Sequence, residues 1–470
     1  MTPHADPAPD AVRFPDSFTW GAASSAYQIE GAAAEEGKGP SVWDEYCRLP
    51  GAIWESQSGH AACDHYHRFR ADVALMQSMG LHAYRFSISW PRVMPEGEGR
   101  VNEKGLAFYD ALVDALLAAG VKPWVTLFHW DFPLALHHKG HWMNRDSVRW
   151  FADYTRVIVD RLSDRVAHWM TLNEPQCYIG GGPEGSRLAP GFMPTLAERL
   201  LMVHHTLMAH GQAVQVIRER AKLTPSVGWA PVGVSPIPAD DRPESLSAAR
   251  QYCFSIPGRH LWNNAWYSDP VCLGAYPEEG LRLYASDAPT PQPGDMQLIH
   301  QPLDFYGINI YNGIPITAGP DGKPVVAPRA VGHAKTAFHW PVEPDSLRWG
   351  PRFHFERYRI PVCVTENGLS AMDWVSMDGK VHDPQRIDFT RRYLLALRQA
   401  MNDGADIRAY FHWSIMDNFE WLEGYKQRFG LIHVDYTTQQ RTLKDSAHWY
   451  ASVIRSHGAA LAENPFAGRH

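Results

Sequence analysis

The chain reads HWMTLNEP over residues 168–175 and PVCVTENG over residues 361–368. In each stretch a short run of β-forming, mostly apolar residues is followed by a glutamate, Glu174 in the first and Glu366 in the second. These glutamates lie far apart in the chain, so only folding can bring them together. A single glutamate after a strand is usually a solvated strand end. Two of them, each ending its own strand, predict a site built on paired carboxylates.

Short apolar runs like these recur along the chain and alternate with longer amphipathic stretches. Alternation of strand and helix repeated eight times predicts an α/β fold, a single (β/α)8 TIM barrel of parallel strands. No Gly/Ser-rich linker divides the chain into separate domains. The predicted strands are Phe18–Ala23, Ala83–Ile88, Pro123–Phe128, His168–Leu172, Ser226–Ala230, Leu303–Ile310, Pro361–Val364 and Ile407–Phe411.

Between the strands, apolar residues recur every three to four positions, which is the period of a helix with one buried face. Asp146 precedes the first turn of one of these helices and is expected to cap it. Proline-rich segments at residues 289–293 and 320–328 are predicted as surface loops of the same domain. The predicted helices are Asp64–Met79, Gly105–Ala118, Asp146–Leu162, Leu196–Ala221, Asp345–Tyr358 and Pro384–Met401.

The ends of the chain lack this alternation. Residues 1–13 are polar and proline-rich, without the apolar segment of a signal peptide, and we expect a disordered lead-in there. The barrel domain is predicted over residues 14–456, followed by a C-terminal tail at residues 457–470.

Composition excludes several classes of function. The formal net charge is −7 and the basic residues are scattered, so no nucleic-acid surface is expected. No apolar run is long enough to cross a membrane. The six cysteines are dispersed without a CxxC pair, which is typical of reduced thiols. We therefore expect a cytoplasmic globular protein with neither nucleic-acid nor membrane partners.

Polar and aromatic side chains cluster at the ends of the predicted strands. Active sites of (β/α)8 barrels lie at the C-terminal ends of the strands. Any one of these residues could be a cap or a satisfied core group, but seven of the eight strands supply one. They are Gln28 after the first strand, Arg85 within the second, His129 ending the third, Asn173 and Glu174 the fourth, Asn309 and Tyr311 the sixth, Glu366 the seventh and Trp413 the eighth.

Longer motifs lie around these residues. They are FTWG at 18–21, QIEG at 28–31, CDHYHR at 63–68, YRFSISW at 84–90, DNFEW at 417–421 and RFGL at 428–431. Together with the two glutamate motifs, and from about Phe14 to Tyr450, they resemble glycoside hydrolase family 1, the β-glucosidase family. The resemblance implies a retaining, exo-acting β-glycosidase that removes terminal nonreducing β-D-glucosyl residues through a covalent glycosyl-enzyme intermediate. It leaves galactosyl and fucosyl residues open as further substrates.

The resemblance also implies a role for each site residue. Glu174 would be the acid/base and Glu366 the nucleophile. Tyr311 and Arg85 would lie against Glu366, and Asn309 and Phe429 would support the site. Trp413 would be the platform beneath the sugar ring, and Trp340 would line the aglycone side. The hydroxyls of the nonreducing sugar would be bound by Gln28, His129, Asn173, Glu420 and Trp421.

The chemistry of a retaining mechanism agrees with these roles. The guanidinium of Arg85 and the phenol of Tyr311 should favour the charged form of Glu366. The charge of Glu366 should raise the pKa of Glu174, which must hold a proton near neutral pH. Asn173 can hydrogen-bond the sugar 2-OH. Neither a metal nor a cofactor is expected. The expected partner is a small β-glycoside or oligosaccharide, and the sequence leaves the oligomeric state open.

Other functions agree less well with the sequence. A noncatalytic sugar-binding relative should lack one of the two glutamates, and a thioglycosidase should carry Gln in place of Glu174. The 24 histidines suggest a metal-dependent hydrolase, but close pairs such as His65/His67 form no HExxH motif. A transglycosylase stays open, because it shares the covalent intermediate and differs in the group that accepts the sugar.

Three stretches depart from the usual form of the family. They are the glycine-rich run Gly180–Glu184, Leu188 before Ala189-Pro190-Gly191, and Phe338–Pro341. All three bear on the entrance and the leaving-group side of the predicted site. The sequence therefore does not identify the aglycone.

Overall fold

A computed structural model describes residues 8–182 and 187–466 of the chain. Within these residues eight parallel strands form a nearly closed barrel, which confirms the predicted (β/α)8 fold. The strands are β1 (Thr19–Ala23), β2 (Ala83–Ser87), β3 (Lys122–Phe128), β4 (His168–Asn173), β5 (Ser226–Ala230), β6 (Tyr306–Asn309), β7 (Val362–Asn367) and β8 (Ile407–Trp413). Their order in the sheet is β5-β4-β3-β2-β1-β8-β7-β6.

Backbone hydrogen bonds join the two ends of this sheet, β5 and β6. The N–H of Asp304 donates to the carbonyl of Val227 (2.8 Å), and the N–H of Asn309 donates to that of Pro231 (3.0 Å). Because the strands are parallel, closure brings their C-terminal ends into one ring. Residues that are distant in the chain therefore meet around a single opening.

Some strands that carry predicted site residues extend further than the sequence indicated. β7 continues through Glu366 to Asn367 instead of ending at Val364, and β8 continues to Trp413 instead of Phe411. The carbonyl of Glu366 accepts a hydrogen bond from the N–H of Ile310 (3.0 Å), so strand pairing includes the glutamate itself. β6 is shorter than predicted, Tyr306–Asn309 instead of Leu303–Ile310. Glu366 and Trp413 therefore lie on strands rather than on loops.

Helices surround the barrel, and one detail of the prediction is wrong. Asp146 precedes a helix, but its own backbone is helical and its side chain accepts no hydrogen bond from that helix. Asn144 instead accepts a hydrogen bond from the N–H of Asp146 (2.9 Å), so the turn starts earlier. The longer helices are His65–Met79, Glu103–Ala118, Ser147–Leu162, Leu196–Arg220, Pro243–Phe254, Ala265–Leu273, Glu278–Tyr284, Ser346–Tyr358, Pro384–Asn402 and Asp445–Arg455.

Two small sheets lie outside the barrel. One contains Pro236–Pro238, Ile314–Ala318 and Pro324–Val326, and the other is the hairpin of Ile432–Asp435 with Gln440–Leu443. The strand Pro324–Val326 lies inside the segment 320–328, which the sequence predicted as a loop. Pairing with Ile314–Ala318 explains the difference, since an edge strand tolerates proline. Segment 289–293 contains neither helix nor strand, as predicted.

The barrel interior is filled by large aromatic side chains among small residues. The rings of Trp124 and Phe411 lie 5.0 Å apart, and those of Trp124 and Phe305 lie 5.4 Å apart. Ala23, Ala83, Ala230 and Ala409 leave room for them, and Trp413 and Phe429 continue the cluster towards the C-terminal ends of the strands. The floor of the opening is therefore packed protein rather than a channel.

The described parts of both chain ends contact the domain. Residues 9–12, in the predicted lead-in, form a short helix with Val12 buried. The N–H of Phe14 donates to the carbonyl of His457 (2.7 Å), and Leu461, in the predicted tail, is fully buried. Residues 1–7 and 467–470 lie outside the described residues. No helix in the described part of the chain is both long and apolar enough to cross a membrane.

Candidate active site

The two predicted glutamates lie at the same end of the barrel. Glu174 follows β4 with φ of 48°, and its N–H donates to the carbonyl of Ala230 (2.9 Å). Glu366 lies on β7 and is buried. Asn309, on β6, donates from Nδ2 to Glu174 Oε1 (2.8 Å) and accepts at Oδ1 from the hydroxyl of Thr365 (2.6 Å). A single asparagine thus links the acid that follows β4 to the strand that carries the other acid.

Both carboxylate oxygens of Glu366 have a donor. Arg85 Nη1 donates to Oε1 (2.6 Å), and the hydroxyl of Tyr311 donates to Oε2 (2.6 Å). Arg85 also donates from Nε to Thr126 Oγ1 (3.1 Å) and from Nη2 to Asn173 Oδ1 (2.5 Å). This places Arg85 and Tyr311 against Glu366, where the family resemblance puts them. The carboxylate is held in one orientation by groups from β2 and from the loop after β6.

The hydrogen bonds of Asn173 fix the orientation of its amide. Its Oδ1 accepts from Arg85 and from Asn309 Nδ2 (3.1 Å), and arginine can only donate. The nitrogen Nδ2 must therefore face His129, whose Nε2 lies 3.1 Å away. Burial, with the charge of Arg85 as a second cause, holds the pKa of His129 well below its usual value. The imidazole is neutral, and its Nε2 accepts from the amide.

The surroundings of Glu174 and Glu366 act differently on the pKa of each carboxyl group. Burial raises the pKa of Glu174 to about 8, and the charge of Glu366 acts in the same direction. Burial also raises the pKa of Glu366, but Arg85 and Tyr311 oppose that effect. Glu366 therefore loses its proton first, and Glu174 holds a proton near neutral pH. The sequence anticipated the effects of the neighbouring groups, and the structure adds burial as the largest cause.

A third glutamate faces the same cavity from the loop after β8. Glu420 accepts a hydrogen bond at Oε2 from Gln28 Nε2 (3.2 Å), which also donates to the carbonyl of Phe419 (2.9 Å). Burial raises the pKa of Glu420 well above its usual value, and the charges of Glu366 and Glu174 add to the shift. Glu420 thus contacts a buried amide rather than a cation.

Aromatic rings form one wall of the site. The ring of Trp413 stacks at 5.7 Å on that of His129, with an angle of 17° between the planes. Trp421 stacks at 4.6 Å on Trp130, whose indole N–H donates to the carbonyl of Asn173 (3.0 Å). Trp130 directly follows His129 in the chain but was not predicted as a site residue. Flat apolar faces of this kind suit the C–H face of a sugar ring.

Another aromatic group lies at the entrance. The rings of Phe338 and Trp340 stack at 4.5 Å, and the ring of Trp340 lies 5.1 Å from that of Tyr311 and 6.1 Å from that of Phe429. Further apolar side chains line the cavity. Leu188 lies in one of the three unusual stretches, and sequence reasoning missed Val232, Val234, Trp262 and Ile314. Of the three unusual stretches, Gly180–Glu184 continues into residues 183–186, which lie outside the described residues.

These groups surround a cavity of about 900 Å³. Gln28, Asn173 and Arg85 do not line it, but contact the lining residues Glu420, His129 and Glu366 from behind. The predicted site residues that line the cavity are His129, Glu174, Asn309, Tyr311, Trp340, Glu366, Trp413, Glu420, Trp421 and Phe429. The structure thus brings all the predicted side chains together, in two layers.

The two histidines of the pair His65/His67, considered above as metal ligands, contact different carboxylates. His65 Nδ1 lies 2.8 Å from Asp72, and His67 contacts Asp64 (2.6 Å) and Glu35 (3.1 Å). Among the described residues, no three His, Cys, Asp or Glu side chains are grouped in a way that could hold a metal ion.

Several known proteins are similar to this chain over nearly its whole length. Beta-glucosidase A of Thermotoga maritima is 40% identical over 448 residues, covering 95% of this chain and 98% of that protein. An aryl-phospho-beta-D-glucosidase of Bacillus subtilis is 38% identical over 483 residues, covering 95% and 98% of the two chains. The structure of the Thermotoga maritima beta-glucosidase in complex with glucoimidazole matches with a TM-score of 0.87 at 40% identity, covering 95% of this chain and 100% of the other.

The sequence profile described as glycosyl hydrolase family 1 matches residues 11–459. The match includes both glutamate stretches, all eight barrel strands and the loop that carries Glu420. The chain belongs to glycosyl hydrolase family 1.

Proposed function

We propose that this protein is a retaining, exo-acting β-glucosidase with Glu366 as the nucleophile and Glu174 as the acid/base. The proposal rests on one observation, that the two carboxyl groups have different hydrogen-bond partners. Glu366 is contacted by a guanidinium and a phenol, whereas Glu174 is contacted by the amide of Asn309. A nucleophile must be ionised and a general acid must be protonated, which is the division that these contacts favour.

The first step would form a covalent intermediate. The carboxylate of Glu366 attacks the anomeric carbon while Glu174 transfers its proton to the glycosidic oxygen, and the C–O bond to the aglycone breaks. The aglycone leaves as an alcohol, and the sugar is held as an ester of Glu366. Because this ester is neutral, Glu174 loses the nearby negative charge that raised its pKa.

The second step would release the sugar. Glu174, now a carboxylate, removes a proton from water, and the oxygen of that water attacks the anomeric carbon. The ester bond breaks, Glu366 returns to its charged form, and Glu174 is protonated again. A transglycosylase would pass through the same intermediate with an alcohol in place of water, so analysis of the products separates the two functions.

Recognition of the sugar would use the inner half of the cavity. The barrel interior below Trp413 is filled by side chains, so the cavity is closed at that end and suits a terminal sugar. His129 would bind hydroxyls on one side of the ring, with its imidazole held by Asn173, and Glu420 would bind them on the other, with its carboxyl group held by Gln28. Each of these groups is buried, and its position is fixed by hydrogen bonds to its neighbours.

The first prediction concerns pH. Activity requires an ionised Glu366 and a protonated Glu174, so kcat/KM should fall as pH rises through the pKa of Glu174, about 8. The fall at low pH should follow protonation of Glu366. We expect a bell-shaped profile with p-nitrophenyl β-glucoside as substrate.

The control is Glu174→Ala with a substrate whose leaving group needs no proton, such as 2,4-dinitrophenyl β-glucoside. The alkaline limb should disappear from its profile while the acid limb stays. An unchanged alkaline limb in that variant would show that another group supplies the proton.

The second prediction separates the two glutamates. Glu366→Gly should lower kcat at least about 10⁴-fold, because the nucleophile is gone, and azide should restore cleavage with an α-glucosyl azide as product. Glu174→Ala should be least affected with good leaving groups, and azide should yield the β-glucosyl azide. Proton NMR of the products measures both outcomes.

Glu423, which lines the same cavity and pairs with Lys426 (2.7 Å), offers a matched control. Glu423→Gln should keep activity within a few-fold of wild type and show no response to azide. The same azide anomer from both catalytic variants would contradict the assigned roles.

The third prediction concerns a phosphate on the sugar 6-position. The ionised Glu366 lines the cavity together with Glu420, and it would repel a phosphate, which carries about −1.5 to −2 charge at pH 7. Lys426 lines the same cavity, but it pairs with Glu423 (2.7 Å) and lies over the ring of Trp54 (3.9 Å). We therefore expect kcat/KM for p-nitrophenyl β-glucoside to exceed that for its 6-phosphate by at least about a hundredfold, a gap of about 2.7 kcal/mol.

Sequence identity does not decide between an unphosphorylated and a 6-phosphorylated sugar, because the similar relatives include both a beta-glucosidase and an aryl-phospho-beta-D-glucosidase. Glu420→Gln should bring the two kcat/KM values closer together, because it lowers kcat/KM for the unphosphorylated substrate. A wild-type preference for the 6-phosphate would contradict the proposed role of Glu420.

A further inference from the structure

The loop after β8, residues 414–431, carries three side chains that line the cavity, those of Glu420, Trp421 and Phe429. Most of this loop is irregular backbone. Its course therefore depends largely on contacts between its own residues and on contacts with the elements beneath it. The carboxylate of Asp417, near the start of the loop, makes several of these contacts.

The carboxylate of Asp417 joins the two halves of this loop. Its Oδ1 accepts from the N–H of Gly430 (3.0 Å), and its Oδ2 accepts from Arg428 Nη1 (2.6 Å). A Cβ atom at Gly430 would lie 2.0 Å from the backbone nitrogen of Asp417, so only glycine allows this close approach. Asp417 lies three positions before Glu420, and Arg428 and Gly430 flank Phe429. One carboxylate therefore holds together the parts of the loop that line the cavity.

A lysine outside the loop binds the same carboxylate. Lys444 is fully buried, and it donates from Nζ to Asp417 Oδ1 (2.7 Å) and to Asp373 Oδ2 (2.5 Å). Asp373 lies in the segment after β7, the strand that carries Glu366. Lys444 therefore joins the loop after β8 to the segment after β7.

The charges around Lys444 balance each other. Burial favours the protonated form of Asp417, but Lys444 and Arg428 outweigh it and hold the pKa of this carboxyl group below its usual value. Asp417 is therefore ionised, and it depends on its cations, because a buried charge without a partner is strongly unfavourable. The network consists of three cations and three carboxylates, Lys444, Arg386, Arg428, Asp373, Asp383 and Asp417.

We propose that Lys444 positions Glu420 for binding to the hydroxyl groups on carbons 4 and 6 of the terminal sugar. Lys444 is buried behind the cavity lining, so it would act through Asp417, which lies three positions before Glu420. Gln28 holds the carboxyl group of Glu420 (3.2 Å), and Lys444 holds the backbone that carries it. This inference rests on the proposed β-glucosidase function and adds a positioning residue to it.

One carboxyl group can bind both hydroxyls, because they lie close together at the end of the sugar remote from the anomeric carbon. The strength of these hydrogen bonds depends steeply on distance and angle, and so on the position of Glu420. A shift of the loop should therefore weaken recognition of the two hydroxyls. It should affect Glu366 less, because Arg85 and Tyr311 hold that carboxylate. A purely structural role for Lys444 would instead reduce the amount of folded protein and lower activity on all substrates alike.

The test compares p-nitrophenyl β-glucoside with its 4-deoxy and 6-deoxy analogues. In wild type, loss of either hydroxyl should lower kcat/KM at least about tenfold, the effect of losing a hydrogen bond to a carboxyl group. Lys444→Met removes the charge and keeps a side chain of similar length. In this variant the ratio of kcat/KM between the glucoside and each analogue should fall to about three or less.

Two control variants separate positioning from folding. Lys444→Met leaves two cations beside three carboxylates and should lower Tm. Lys444→Met/Asp373→Asn leaves two of each, so Tm should rise again, but the contact with Asp417 stays absent and the low ratio should stay. Lys104→Met makes the same substitution at a lysine whose side chain is 71% exposed, and it should change neither Tm nor the ratio.

A double-mutant cycle shows whether Lys444 acts through Glu420. If it does, Lys444→Met should change kcat/KM for p-nitrophenyl β-glucoside less than about threefold in a Glu420→Gln background, because the contact that it positions is already weakened. Additive losses would show that Lys444 acts independently of Glu420 and would overturn the proposal.

The outcomes separate this proposal from the proposed function. A wild-type protein that does not hydrolyse p-nitrophenyl β-glucoside would contradict the proposed function itself. If wild type hydrolyses it, equal losses on all three substrates in Lys444→Met would overturn the positioning role alone. Recovery of the wild-type ratio in Lys444→Met/Asp373→Asn would also overturn it, because the role of Lys444 would then be limited to charge balance.

Discussion

Burial of several carboxyl groups in one cavity is the constraint on which the site depends. Glu174, Glu366 and Glu420 are all buried and line the same space. Removing one ionised carboxylate from water costs several kcal/mol unless a partner compensates. Arg85 compensates Glu366, whereas the amides of Asn309 and Gln28 contact the other two. Ionisation is therefore concentrated on one carboxyl group, and the others are biased towards their protonated forms.

The barrel makes this arrangement possible because it lets one side chain reach several strands. Arg85 on β2 contacts Thr126 on β3, Asn173 on β4 and Glu366 on β7. In an open sheet of the same order, the strands that carry Asn173 and Glu366 would be far apart. Closure between β5 and β6 also brings Asn309 beside Glu174. The aromatic packing of the barrel interior gives this layer of hydrogen bonds a rigid floor.

The sequence predicted that Glu174 and Glu366 lie together because each ends a recognisable strand, and strand ends of a parallel barrel must converge. It did not predict which residues line the cavity and which support it. Gln28 and Asn173 differ in this respect from Glu420 although all three are buried. It also missed lining residues such as Val232 and Trp262, because these apolar residues lie in loops, where an apolar side chain gives no signal of a site. Whether such a residue lines the cavity depends on side-chain packing, which the pattern of apolar and polar residues in the sequence does not reveal.

The most direct measurement of the central claim is the site of covalent labelling by 2,4-dinitrophenyl 2-deoxy-2-fluoro-β-glucoside. Fluorine at carbon 2 slows both steps, and the reactive leaving group lets the first step proceed, so the intermediate accumulates. Mass spectrometry of the digested protein should place the fluoroglucosyl group on Glu366, with one equivalent bound as activity is lost. Labelling of Glu174, or inactivation without a covalent adduct, would contradict the account.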